Sequence, residues 1–176
     1  FPALEWKILS FFSIKKGAQH VKEKGFLFLT TDRHHKETRM DNASPWQAMA
    51  RATQAEARDI VAELDIEGHW RRAGAVVHAV GSFRTGLLVR HRDIDFHVYT
   101  PTLDRDLSFR VMAALASSPY LNSLHFVDGS ATEERCLEWH GIWQRPGGAP
   151  WQIDIIHIES GSTFDGYFER FADRLC

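Results

Sequence analysis

Two aspartates set two residues apart inside an apolar strand constrain this chain more than any other feature. In Arg92-Asp93-Ile94-Asp95-Phe96-His97-Val98-Tyr99 the side chains of an extended backbone alternate between faces, so Asp93 and Asp95 share one face and Ile94, Phe96 and Val98 the other. The apolar set requires a core on its side, which holds the carboxylate face rigid. Two anions a few ångströms apart repel each other, and keeping them on a half-buried strand is costly unless a cation neutralises them. Ligands that are all oxygen select a hard ion such as Mg²⁺ or Mn²⁺.

The stretch upstream supplies a complementary half. Gly81-Ser82 follows the apolar run that ends at Val80. A glycine at a strand end lets backbone approach a ligand closely, and the amides of a turn opening a helix point at an anion, typically phosphate. The Ser82 hydroxyl can donate to the same group. Phosphate on one side and a carboxylate-bound metal on the other is what holding a metal–nucleoside triphosphate needs.

A hydrophobic residue, Gly81-Ser82, a ten-residue spacer and Asp93-Ile94-Asp95-Phe96 together resemble the signature of the DNA polymerase beta-like nucleotidyltransferase superfamily. That pattern places a third carboxylate on a later strand of the same sheet, and Trp151-Gln152-Ile153-Asp154-Ile155-Ile156 offers Asp154, a single acid in an apolar run. The resemblance covers residues 73–158. It implies that Asp93 and Asp95 bind or bridge two Mg²⁺ (or Mn²⁺) ions, and that Asp154 binds one and helps activate an acceptor hydroxyl. It further implies transfer of a nucleoside monophosphate from an NTP, with release of pyrophosphate. Gly81 and Ser82 are candidates to bind the nucleotide phosphates, and Arg84, Arg90 and Arg92 to contact the triphosphate tail. Members of the superfamily often carry a further helical region, and here it is expected to be shortened or missing beyond Cys176.

The fold expected is α+β, a mixed sheet of about five strands flanked by helices. Asp41-Asn42-Ala43-Ser44-Pro45 reads as a helix start. Trp46, Met49, Ala50, Ala57, Ile60, Val61 and Leu64 then form one stripe at helical spacing, predicting a helix that ends near Gly68. Strands are expected at 73–80, 94–99, 121–127, 135–144 and 151–158. A short helical turn is expected at 83–89, with helices at 103–117 and 164–175. A composition of 44% hydrophobic and 25% charged residues supports a packed globular core and excludes disorder, collagen and coiled coil. No uncharged apolar run approaches the roughly 18 residues that span a bilayer, so a soluble protein without a membrane partner is expected. With two cysteines only, neither a disulfide framework nor a zinc site fits, and a cytoplasmic setting is the default.

Charge divides the chain. All six lysines lie in residues 1–39, where eight basic residues face four acidic ones for a charge of +4. The remainder has thirteen arginines against nineteen acids, or −6. Met40 is expected to open the catalytic domain, 40–176, with 1–39 a non-native or loosely attached extension; the alternative is a basic arm that docks on the domain or a membrane surface. An acidic domain favours a small hydroxylated molecule or a protein side chain as acceptor over a long nucleic acid. A local groove made by Arg84, Arg90 and Arg92 leaves a nucleic-acid end open.

Blander readings stand beside these. Asp93 and Asp95 read alternatively as solvated acids paired with Arg90 or Arg92, and Asp154 as the partner of an arginine or histidine. His97 shares the face of the two aspartates and is expected to be a packed, hydrogen-bonded histidine, while His157 lies on the face opposite Asp154. Packing accounts for Trp46, Trp139, Trp143 and Trp151 as well as base stacking does. The kinase-like His91-Arg92-Asp93 lacks the Asn that motif needs five residues later, where Val98 stands. A non-catalytic nucleotide- or protein-binding module of the same fold is the alternative function.

Overall fold

The computed structural model describes residues 44–173. Expectations for residues 1–39, the seam at Met40 and the chain beyond Asp173 lie outside them. Element order is α1 (Pro45–Leu64), α2 (Ile66–Arg72), β1 (Val76–Val80), α3 (Gly81–Thr85), β2 (Asp93–Thr100), α4 (Arg105–Leu115), β3 (Leu121–Gly129), β4 (Cys136–Trp143), β5 (Trp151–Glu159) and α5 (Tyr167–Asp173). The fold is α+β, one mixed five-stranded sheet in the order β1-β2-β5-β4-β3 with flanking helices. Among the described strands, β2 and β5 are the one pair that runs parallel. No helix of the described residues is long and apolar enough to cross a membrane.

Local chemistry sets these boundaries. Ser44 and Gln47 form a reciprocal capping box, and Pro45 occupies the first helical turn. The single helix expected up to Gly68 is two helices. Asp65 adopts a left-handed conformation (φ 45°) that ends α1 and starts α2. Gly68 lies inside α2, where an added Cβ would collide with the Asp65 carboxylate folded against it. Residues 73–75 are the exit from α2 rather than strand, with Gly74 at φ +86° and the Ala75 amide bonded to the Trp70 carbonyl at 3.0 Å.

Strand alternation sorts the sheet into two faces. Ile94, Phe96 and Val98 join Ile153, Ile155, Trp139, Trp143 and Trp151 on one side. There they bury Ile60, Leu64, Ile66 and Trp70 of α1 and α2 and Val111, Met112 and Leu115 of α4. Each such side chain contributes about 1.5–3 kcal/mol by leaving water. Trp139 Nε1 donates to the buried Ser108 Oγ at 2.9 Å, tying β4 to α4 without an orphaned donor. The apolar stripe of α1 is buried from Thr53 onward, whereas Trp46 and Met49 are exposed, with the Arg90 guanidinium 5.3 Å from the Trp46 ring centre. The opposite face bears most of the sheet's titratable side chains.

Candidate active site

The parallel pairing of β2 with β5 sets two of the three predicted carboxylates side by side. Asp95 stands opposite Asp154, and Asp93 opposite Gln152. On its other side Asp95 is opposite Val80, so the chain turns into Gly81 directly beside it. Gly81 has φ +62°, and a Cβ there would lie 3.2 Å from Asp95 Cγ and closer still to Oδ2. Both the backbone conformation and this close approach require glycine. The turn is anchored from the helical side: buried Phe83 packs on Phe96 at 5.9 Å, and Gln54 Nε2 of α1 donates to the Phe83 carbonyl at 2.6 Å.

Among the described residues, no basic side chain is hydrogen-bonded to Asp93 or Asp95. Burial, and after it the charges of Asp154 and Asp93, together push the Asp95 carboxyl up to about 7. Asp93 is raised too, chiefly by burial, with His91 opposing and Asp154 adding to the shift. This all-oxygen, mutually repelling donor set fits a hard divalent cation. Asp154 is the carboxylate otherwise engaged: Oδ1 lies 2.9 Å from His140 Nδ1, and Oδ2 accepts from Gln152 Nε2 at 2.9 Å. The three aspartates do not bring one oxygen each within 4.8 Å of one another; among the described residues Glu134, Cys136 and Glu138 are the group that does.

His140 lies between two acceptors, with Nε2 3.2 Å from Glu138 Oε2. The bond to Asp154 and then that to Glu138 raise its pKa to about 9 against the opposing effect of partial burial, so it is cationic at neutral pH. Neither Glu138 nor His140 is singled out by the sequence motif. Their signal is period-2 spacing along β4, which becomes informative only when the register sets His140 opposite Asp154.

The remaining candidates separate. Arg84 pairs with Asp173 of α5. Arg92 reaches α1, where Nη1 is 2.6 Å from Glu56 Oε2 and the guanidinium lies 5.2 Å from the Trp151 ring centre. With Arg90 stacked on Trp46, the arginines do not converge into one groove. His97 is the packed histidine expected: Nδ1 is 3.0 Å from Glu169 Oε1, which also accepts from the Tyr99 hydroxyl at 2.8 Å. This fastens α5 to the carboxylate face. Burial raises Glu169, but bonds from His97 and Tyr99 outweigh it and bring the carboxyl down to about 2. His157 is fully buried on the opposite face, 2.6 Å from Thr100 Oγ1 and edge-on to Trp70.

No family model matches the chain, and no curated protein matches it. Solved structures are similar to it. Cid1 poly(U) polymerase with MgGTP bound is 19% identical, at a TM-score of 0.44 over 63% of this chain and 37% of that one. A cytoplasmic RNA terminal U-transferase is 18% identical, at 0.42 over 64% and 35%. The non-canonical poly(A) polymerase complex GLD-2–GLD-3 is 11% identical, at 0.44 over 76% and 44%. The chain thus spans less than half the length of each.

Proposed function

We propose that this domain catalyses divalent-metal-dependent transfer of a nucleoside monophosphate from an NTP to a hydroxyl acceptor, releasing pyrophosphate. The observation that carries the reading is the side-by-side placement of Asp95 and Asp154 with the Gly81 backbone pressed against Asp95. Asp93, Asp95 and Asp154 would hold Mg²⁺, which when bound neutralises the phosphates and stabilises charge on the attacking and leaving oxygens of an in-line displacement. Gly81 and Ser82 would face the phosphates from the turn, and Arg84, on the same short helix, would contact the triphosphate tail. The acceptor oxygen forms the new bond to the α-phosphorus as the bond to the β-phosphate oxygen breaks. Asp154, on β5 beside β2, would activate the acceptor hydroxyl by taking up the proton it loses. Rate enhancement of this kind comes mainly from positioning and charge neutralisation.

The test is a pyrophosphate-release screen of four NTPs against small hydroxylated molecules, protein side chains and RNA 3′ ends, the last because the similar solved proteins include poly(U) and poly(A) polymerases. Release that requires Mg²⁺ and vanishes in Asp95→Asn supports the reading. Release in the variant at the wild-type rate rejects it.

A second reading, a non-catalytic nucleotide- or protein-binding module, is favoured by one observation: both oxygens of Asp154 are engaged by His140 and Gln152. NTP binding without pyrophosphate release across the whole panel would select it.

A further inference from the structure

Strand register alone brings an imidazole against the third carboxylate. Glu138 and His140 are two apart on β4 and share the face of Asp154, which stands opposite His140 in the antiparallel β4–β5 pairing. His140 Nδ1 is 2.9 Å from Asp154 Oδ1, and Nε2 is 3.2 Å from Glu138 Oε2. An ionised carboxylate only accepts, so the ring donates from both nitrogens and cannot rotate without losing both bonds. His125 on β3 flanks the ring on its other side, with centroids 6.4 Å apart. Gln152 Nε2 holds Asp154 Oδ2 at 2.9 Å, so each oxygen of this aspartate has its own fixed donor. Asp93 and Asp95 have no hydrogen-bonding side-chain partner among the described residues; their orientation is set by β2 and by the backbone at Gly81.

We propose that His140 is a positioning residue for the cation site: braced by Glu138, its Nδ1–H fixes the side-chain torsion of Asp154 beside Asp95. This deepens the nucleotidyl-transfer reading and rests on it. Carboxylate ligands are commonly oriented by such outer hydrogen bonds, whose removal costs 10–100-fold in metal affinity. Glu138 acts one step further out by keeping the ring from turning.

The experiment is calorimetric titration of Mn²⁺ into the full chain and two isosteric variants. His140→Asn keeps an amide donor near the Nδ1 position, and His140→Gln keeps one near Nε2. Both delete the same positive charge, so a purely electrostatic effect moves them equally. The expected result is a Kd within a few-fold of wild type for His140→Asn and roughly 10–100-fold weaker for His140→Gln. Melting curves confirm that each variant is folded. Equal Kd values for the two variants, or tighter binding by His140→Gln, overturn the proposal while leaving the functional reading in place. If the wild-type protein binds no Mn²⁺, the functional reading and this proposal fall together.

Discussion

Asp95 and Asp154 stand directly opposite each other on adjacent parallel strands, two like charges held side by side by backbone hydrogen bonding. Burial first, and then the charges of Asp154 and Asp93, raise the Asp95 carboxyl, so its ionised form is a cost to folding when no metal is bound. Asp95→Asn removes the repulsion at nearly constant shape. In chelator at neutral pH the variant is expected to be more stable by about 1–3 kcal/mol, a rise of several degrees in Tm by calorimetry. Its transferase activity should fall by roughly a hundredfold or more.

Gly81→Ala sets a methyl group against the Asp95 carboxylate at a positive-φ position. The left-handed backbone alone costs about 1–2 kcal/mol for a residue with a Cβ. A lower urea midpoint together with weakened Mg²⁺ and NTP binding is expected. Ser82→Ala, next in the chain, should leave the midpoint within about 0.5 kcal/mol of wild type.

How far the sequence revealed this site follows from which interactions are local. The alternation of Asp93 and Asp95 with Ile94 and Phe96 is a property of one strand, and the structure keeps it: the aspartates share a face and the apolar pair lies in the core. All five strands were legible for the same reason, with ends displaced by a few residues. The break at Asp65 was not, because it depends on a left-handed residue whose carboxylate folds over Gly68 and is held by Arg72 at 2.7 Å. Nor were the partners of Arg84, Arg90 and Arg92, which lie on distant helices. The His140 bond to Asp154 depends on the register between β4 and β5, and sequence periodicity leaves that register open.

His157 gives the fold a predictable acid limb. Burial lowers its pKa to about 4 from the ordinary 6.5, so the neutral ring is the form the core accepts. Between these values the unfolded chain binds the extra proton. The contribution is therefore complete above pH 6.5 and is lost as pH falls toward 4, by at most about 3 kcal/mol. Urea unfolding at half-unit pH steps checks this, and His157→Gln should flatten the slope in that window.

Glu169 tests the attachment of α5. Its Oε1 accepts from Tyr99 and meets His97, so Glu169→Ala strands two buried polar groups and should cost about 1–3 kcal/mol at pH 7. Its lowered carboxyl makes the wild-type contribution complete above about 4.5 and lost as pH falls toward 2. The difference in denaturation midpoint between wild type and variant should therefore shrink below pH 4.5.

The proposed function requires that Asp95 and Asp154 grip one divalent cation beside the Gly81 turn. Anomalous diffraction from crystals grown with Mn²⁺ and a non-hydrolysable NTP tests it most directly. The expected result is a peak within coordination distance of oxygens from both aspartates, with the triphosphate against Gly81-Ser82. A peak confined to the Glu134–Cys136–Glu138 group, or no peak between the two strands, would contradict it.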